Sequence, residues 1–272
     1  MARPRLAIIV SFVGRAPLWL PAFLVSCRAN RDIEWLIYTD VDMGDELPPN
    51  VTVKPMTVTE LNARFSDALQ TRIAIHPLKL NDLKLTYGIA FAEDIRGFDF
   101  WAYADLDIVW GDLRRFLTDE RLQQYDVFSS RRDRLAGHFS LFRNTEALNR
   151  AFELIPDVRK AMASSQYHHL DERGLTVHLR QAVDRAKPGT GARIYWEEDL
   201  STDAKFQRAL SDDPSDALWW RDGRTFAPNG RELMYIHFNK LKQDMTTINF
   251  GAGDSPRAFE ISRRGFVAES VS

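Results

Sequence analysis

Asp105 and Asp107 stand one residue apart at the end of an apolar run, Phe98-Asp99-Phe100-Trp101-Ala102-Tyr103-Ala104-Asp105-Leu106-Asp107-Ile108-Val109-Trp110-Gly111-Asp112. Strand side chains alternate between faces, so two acids spaced by one residue are expected on the same side. Two carboxylates held together repel unless a cation lies between them. An oxygen-rich pair of this kind suits a hard divalent ion such as Mg²⁺ or Mn²⁺. The plain alternative is a strand end whose two acids are solvated.

The elements before this pair must bring it to the edge of a sheet. Residues 6–12 are almost unbroken apolar sequence and read as a strand buried on both faces, as in parallel sheets. Residues 18–29 read as a helix, 33–40 as a second strand and 51–56 as a third. Thr57 and Glu60 have the spacing of a capping box, with a helix expected to about residue 69. A further helix is expected over 79–93, with Leu80, Leu83, Tyr87 and Phe91 near one face. The strand over 98–104 then feeds the aspartates. Such alternation predicts an α/β fold, an open sheet with right-handed crossovers. Ligands bind beyond the carboxyl ends of the strands in these sheets, where Asp40 and the 105/107 pair both fall.

The second half is less regular. Short strands are expected at 126–130, 138–142, 193–196 and 233–238, with helices over 145–163 and 172–186. A loop is expected at 187–191, and a last edge strand at 259–262. No repeat or linker divides the chain, so residues 1–272 read as one domain.

Composition narrows the classes further. The chain has 272 residues and a formal net charge of −2, with no basic field to draw nucleic acid. Its one cysteine, Cys27, excludes an internal disulfide and a cysteine zinc cluster, and reads as buried filler. The apolar run at 6–10 is short for a secretory signal, and no stretch has the roughly 18 apolar residues of a membrane span. A cytoplasmic protein is expected. Residues 17–24 have the amphipathic character of a peripheral membrane contact, although packing on the sheet is their expected role. Dinucleotide-binding, Walker and nucleophile-elbow motifs are absent.

Several separated stretches, taken in order, resemble a GT-A-fold glycosyltransferase. These are the Asp-x-Asp at 105–107, the preceding Lys79-Leu80-Asn81-Asp82-Leu83-Lys84, the strand Gly137-His138-Phe139-Ser140-Leu141-Phe142-Arg143-Asn144, the acidic Asp171-Glu172, and Tyr235-Ile236-His237-Phe238-Asn239-Lys240-Leu241-Lys242. The chain is similar in particular to a bacterial glycosyltransferase-like group first catalogued without known function. The 137–144 stretch departs from the pattern by lacking an internal glycine. The resemblance implies a GT-A-like, Rossmann-like open mixed sheet flanked by helices, with a nucleotide-sugar half over 1–112 and an acceptor half over 113–272. It implies a nucleotide-diphosphate sugar donor, with a UDP-sugar expected, a glycan or glycolipid acceptor, and Mn²⁺ or Mg²⁺ held by Asp105, Asp107 and His237.

By the same resemblance, Lys240 and Lys242 meet the diphosphate, Lys79, Asp82 and Lys84 the nucleotide sugar, and Asp105 the ribose or, through water, the metal. His138 meets the acceptor, and Asp171 or Glu172 serves as acceptor contact or general base. Asp40 is a candidate for the base of the nucleotide. The C-terminal histidine resembles retaining families. The implied site of action is the inner face of the membrane. Each residue also has a plain alternative: a surface ion pair for Lys79 and Asp82, ordinary surface lysines at 240 and 242, satisfied strand histidines at 138 and 237, a turn at Asp40, and an acid-rich helix start for Asp171 and Glu172. His168 and His169 read as loop residues, and Trp219 and Trp220 as aromatic core. Two other readings stand beside the transferase. One is a haloacid-dehalogenase-like phosphatase using Asp105 and Asp107, with Asp212-Asp213 downstream. The other is a non-catalytic nucleotide- or glycan-binding module.

Overall fold

The computed structural model describes residues 3–76, 78–185, 191–211 and 213–269. The expected loop at 187–191 falls outside them except for Gly191, and so does Asp212. The main sheet uses β1 (Leu6–Phe12), β2 (Ile33–Thr39), β3 (Val51–Pro55) and β4 (Phe100–Ala104). After the short β5 (Ile108–Trp110) it adds β6 (Val127–Ser129), β7 (Phe139–Arg143) and β8 (Ile194–Tyr195). The strand order is β3-β2-β1-β4-β7-β6-β8. Strands β1 to β4 are parallel, while β7 runs antiparallel to both β4 and β6. The sheet is therefore open, as the alternation predicts, and mixed, as the resemblance implies.

The apolar runs lack polar positions because both faces of this sheet are covered. Ala7, Ile9, Trp101 and Tyr103 face a core closed by α2 (Val58–Leu69) and the helical segment at 79–90. Leu6, Ile8, Val10, Phe100 and Ala102 face the opposite core under α1 (Leu20–Ala29). That helix buries Leu20, Phe23, Leu24 and Cys27 there, so its apolar side is packed against the sheet. The capping box at Thr57 and Glu60 forms. No helix among the described residues is long and apolar enough to cross a membrane.

Three expectations need correction. The helix over 79–93 is α3 (Lys79–Leu83), a 3₁₀ turn at Lys84–Thr86 and a short helix at Tyr87–Ala90. Gly88 lies in the last of these, where a Cβ would come within 2.8 Å of both Asn149 and Trp101. The helix over 145–163 is likewise broken, into Glu146–Asn149, Ala151–Leu154 and Val158–Ala163. The strand expected at 259–262 is neither last nor at an edge.

That strand belongs to a second sheet that sequence periodicity did not announce. It contains β9 (Leu218–Arg221), β10 (Arg224–Phe226), β11 (Glu232–Leu233), β13 (Thr247–Ile248), β14 (Ala258–Ser262) and β15 (Gly265–Ala268), in the order β11-β10-β9-β14-β15-β13. Between β11 and β13, β12 (Tyr235–His237) pairs with β5 as a separate two-stranded ribbon. The second sheet packs Trp220, Phe259 and Phe266 over the ribbon and the outer side of α1, so Trp220 is core, as expected. Trp220 Nε1 also donates to the carbonyl of Trp110 at 3.0 Å. Trp219 is half-buried beneath the Arg221 guanidinium.

Candidate metal centre and cleft

The chain runs outward through β1, β2 and β3, then returns to place β4 on the other side of β1. That reversal is the kind of switch point at which open α/β sheets bind ligands. A cleft of about 900 Å³ opens there. Its walls include Ser11, Phe12 and Val13 from the carboxyl end of β1, and Asp105, Leu106 and Asp107 from beyond β4.

The two aspartates do not sit on a strand. They occupy the bend between β4 and β5 and are held from both sides. The Asp105 amide donates to the His138 carbonyl at 3.0 Å, and the Phe238 amide donates to the Asp107 carbonyl at 3.3 Å. The β5–β12 ribbon sets the rest, because its register pairs Ile108 with His237 and so lays the imidazole beside Asp107. Gly111 allows the close approach: a Cβ there would lie 2.6 Å from Thr225 Oγ1 and 2.9 Å from the Leu233 carbonyl.

One carboxylate oxygen of each aspartate points inward. His237 Nε2 is 3.3 Å from Asp107 Oδ1 and 3.8 Å from Asp105 Oδ2. Each outer oxygen carries a lysine: Lys84 bonds Asp105 Oδ1, and Lys242 Nζ is 2.7 Å from Asp107 Oδ2. Ligand atoms from Asp105, Asp107 and His237 all lie within 4.8 Å of one another. Two oxygens and one imidazole nitrogen converging in this way fit a divalent cation, and the nitrogen favours Mn²⁺ over Mg²⁺. Burial alone would raise the Asp107 pKa. Attraction to His237 and Lys242 outweighs it and holds the carboxyl well below its usual range, so Asp107 is ionised.

His138 stacks on His237 with ring centroids 4.1 Å apart and lines the cleft. Burial, and then the charge of His237, push its pKa well below the ordinary value, so the ring is neutral. Its Nε2 is buried and has no hydrogen-bond partner among the described residues. Such an unpartnered buried nitrogen calls for a partner that the described residues do not supply.

Asp171 and Glu172 lie in a π-helical turn, Leu170–Leu175, that runs into the helix Thr176–Arg185. Single π turns inside helices recur at functional sites. Glu172 is exposed to the cleft and accepts from the Gly137 amide at 3.4 Å. Asp171 lies behind that wall, with Oδ2 against Gly137 and without a partner among the described residues. Burial pushes its carboxyl up to about 6.

Lys79 and Asp82 form an ion pair at 3.0 Å that is fully buried, in place of the surface pair their spacing suggests. The remaining Lys79 hydrogen bonds go to the carbonyls of Ala161 and Gln166, and Asp82 receives the amides of His168 and Leu170. Neither lines the cleft. They fasten the 166–170 segment from which the π turn starts. Asp40 is exposed at the end of β2 and accepts from the Gly14 amide at 2.8 Å, outside the cleft wall. Lys240 lines the cleft, and its amide is fixed by Gln207.

The cleft also holds residues to which the sequence assigns no role in it. Trp19 packs edge-on against Phe238 beneath the Lys242 ammonium, and the His169 ring lies tilted against Tyr167 with centroids 4.0 Å apart. Gln207 reaches the His237 carbonyl. Seven lysines and arginines against four carboxylates line the cleft, although the whole chain is slightly acidic. No spacing rule identifies these residues, because they come from elements that meet only in the fold. Asp213 is exposed and does not line the cleft.

No curated protein matches the chain by sequence. Among solved structures, it is similar to the apo bifunctional glycosyltransferase WbbM at 12% identity and a TM-score of 0.45, covering 88% of this chain and 46% of that one. It is similar to the galactosyltransferase LgtC, solved with donor and acceptor sugar analogues, at 11% identity and a TM-score of 0.41, covering 89% and 97%. It is also similar to apo mouse xyloside xylosyltransferase 1 at 10% identity and a TM-score of 0.41, covering 86% and 97%. At that distance the site must be read from this chain's own residues. The family model that matches residues 8–270 describes a family of unknown function, DUF6625, and the chain belongs to that family.

Proposed function

We propose that this protein is a metal-dependent glycosyltransferase that moves a sugar from a nucleotide-diphosphate donor, a UDP-sugar in the first instance, to a glycan or glycolipid acceptor. One observation carries the reading: the inner oxygens of Asp105 and Asp107 converge with His237 Nε2 at the β1–β4 switch point, in a cleft with an excess of cations. In this reading 1–112 is the nucleotide-sugar half and 113–272 the acceptor half of one domain. The reaction would take place at the cytoplasmic side of a membrane.

Asp105, Asp107 and His237 would hold Mn²⁺ or Mg²⁺. The bound ion supplies Lewis-acid charge to the diphosphate leaving group. Lys84 and Lys242 steady the two carboxylates, and Lys240 adds positive charge where the leaving group's negative charge grows. Glu172 faces the cleft and is our candidate to orient or deprotonate the acceptor hydroxyl, with the neutral His138 ring beside it as an acceptor contact. Asp171 supports the same turn from behind. Lys79 and Asp82 position that turn and do not touch the donor.

Calorimetric titration of UDP and GDP, with and without Mn²⁺, followed by donor hydrolysis with a panel of their sugars, tests the reading. Metal-dependent nucleotide binding and sugar release that Asp107→Ala abolishes are expected. No nucleotide binding with any donor sinks it. A non-catalytic module would bind without turnover in the parent chain. The phosphatase reading predicts phosphate release from aryl phosphates through Asp105; the exposed position of Asp213, away from the cleft, argues against it.

A further inference from the structure

Between β6 and β7 the chain makes a tight turn that faces two arginines into the cleft. Arg131 and Arg134 are partners across an isolated antiparallel bridge, with only Arg132 and Asp133 between them. Asp133, the second of these, takes a left-handed conformation, φ 61°. The turn is fastened from within. Ser129 Oγ accepts the Arg131 amide at 3.1 Å and donates to the Arg134 carbonyl at 2.6 Å. It is also fastened from outside, where the Arg132 amide donates to Asp199 Oδ1 at 3.2 Å and its Nε to the Glu197 carbonyl at 3.1 Å.

Side chains directly opposite on an antiparallel pair share a face, and like charges placed so are destabilising. The fold nevertheless fixes this turn, and both arginines line the cleft. Arg131 has a long contact with Asp199, 3.6 Å, and its side chain is 14% exposed. Arg134 is exposed and has no carboxylate partner among the described residues. Two guanidinium groups on one face, only one of them neutralised, make a fork for an oxyanion, because each presents planar paired donors. The pair lies just ahead of Gly137 and His138, on the wall that also includes Glu172, whereas Lys242 and Lys84 engage the aspartates.

We propose that Arg131 and Arg134 bind an oxyanion, phosphoryl or carboxylate, carried by the acceptor. This rests on the transferase reading for the word acceptor, but the anion site itself does not depend on it.

The test uses the full chain at low ionic strength. Glucose 1-phosphate, glucuronate and glucose are titrated by NMR, and UDP with Mn²⁺ by calorimetry, on the parent, Arg134→Gln and Arg131→Gln. Equal melting temperatures verify that the variants fold. The expected result is that one or both anionic sugars bind the parent and glucose does not, that each variant weakens this binding at least five-fold, and that UDP–Mn²⁺ affinity stays within two-fold. Glucose 1-phosphate alone identifies a phosphoryl acceptor and glucuronate alone an acidic sugar. Equal binding of glucose, or variants that bind the anionic sugars as the parent does, overturns the proposal. So does a parallel loss of UDP–Mn²⁺ affinity, which would assign the arginines to the donor diphosphate. If UDP–Mn²⁺ fails to bind the parent while anion binding depends on Arg134, the transferase reading falls and the anion site stands.

Discussion

Lys242 grips Asp107 from the side away from the convergence: Nζ is 2.7 Å from Oδ2, and Oδ1 is left facing His237 Nε2 at 3.3 Å. The lysine therefore orients the carboxylate while its positive charge opposes a metal ion. The two effects can be separated. Asp107→Asn and His237→Ala each remove a ligand, and Mn²⁺ affinity, read from the EPR signal of the free ion, should fall at least ten-fold in both. Lys242→Met keeps all three ligands and removes a competing cation, so it should bind Mn²⁺ at least as tightly as the parent. A Lys242→Met variant that loses the ion would show that orientation outweighs charge.

Metal should also stabilise the fold. An ion bound by the native chain alone adds RT ln(1 + [L]/Kd), about 2.7 kcal/mol at a hundred times Kd. The melting temperature should rise with Mn²⁺ in the parent and stay flat in His237→Ala.

The buried Lys79–Asp82 pair gives a different kind of prediction. Removing one member strands the other charge without water, which costs about 3–5 kcal/mol. Asp82→Ala should lose that much in urea unfolding. The double variant Lys79→Met, Asp82→Leu should recover a good part of it, because no charge is left behind. Its 166–170 amides should still exchange hydrogen faster than in the parent, since their acceptor is gone.

Asp171 sets a pH dependence whose sign is fixed. Its carboxyl is pushed up to about 6 in the fold, against roughly 3.9 in an unfolded chain. The native state therefore binds more protons between those values, and stability falls as pH rises through that window. The penalty is fully present above about pH 6 and absent below about pH 4, and amounts to about 3 kcal/mol. Asp171→Asn should be more stable than the parent at pH 8, and that advantage should vanish near pH 4. A constant difference across urea titrations at pH 4, 6 and 8 would refute the assignment.

Gly111→Ala places a methyl group against Thr225 and the Leu233 carbonyl, where overpacking typically costs about 1–3 kcal/mol. The displacement falls on the seam between the ribbon and the second sheet, so Mn²⁺ affinity should fall with stability. Unchanged metal affinity in a destabilised Gly111→Ala would show that the centre does not depend on that seam.

The first 112 residues were readable because their central strands are buried on both faces. Residues 6–12 and 100–104 had to be continuously apolar, and their order fixed where Asp105 and Asp107 would emerge. The second sheet was not readable by periodicity, because its strands are two to five residues long and carry Arg221, Arg224 and Glu232. A signal was nevertheless present. Asp222-Gly223 lies between β9 and β10 with φ of 46° and 82°, the conformation in which Asp-Gly closes a two-residue hairpin. Residue type and order sufficed to single out Asp105, Asp107 and His237, which the fold brings together as a group that could hold a metal ion. Lys79 and Asp82 misled, since an i, i+3 pair on a helix looks the same in sequence whether it faces water or the interior.

The ribbon has a consequence for the order in which this molecule is completed. His237 reaches Asp107 only through the pairing of β5 with β12, so the two halves of the centre are made about 130 residues apart. A nascent chain carries both aspartates long before it has the histidine, and the long loop between them must close first. Until then it offers two carboxylates already engaged by Lys84 alone or by water, a poor competitor for a transition metal. An ion bound there would thus be a late clasp, taken up by finished molecules, and its retention would report that the C-terminal third has docked.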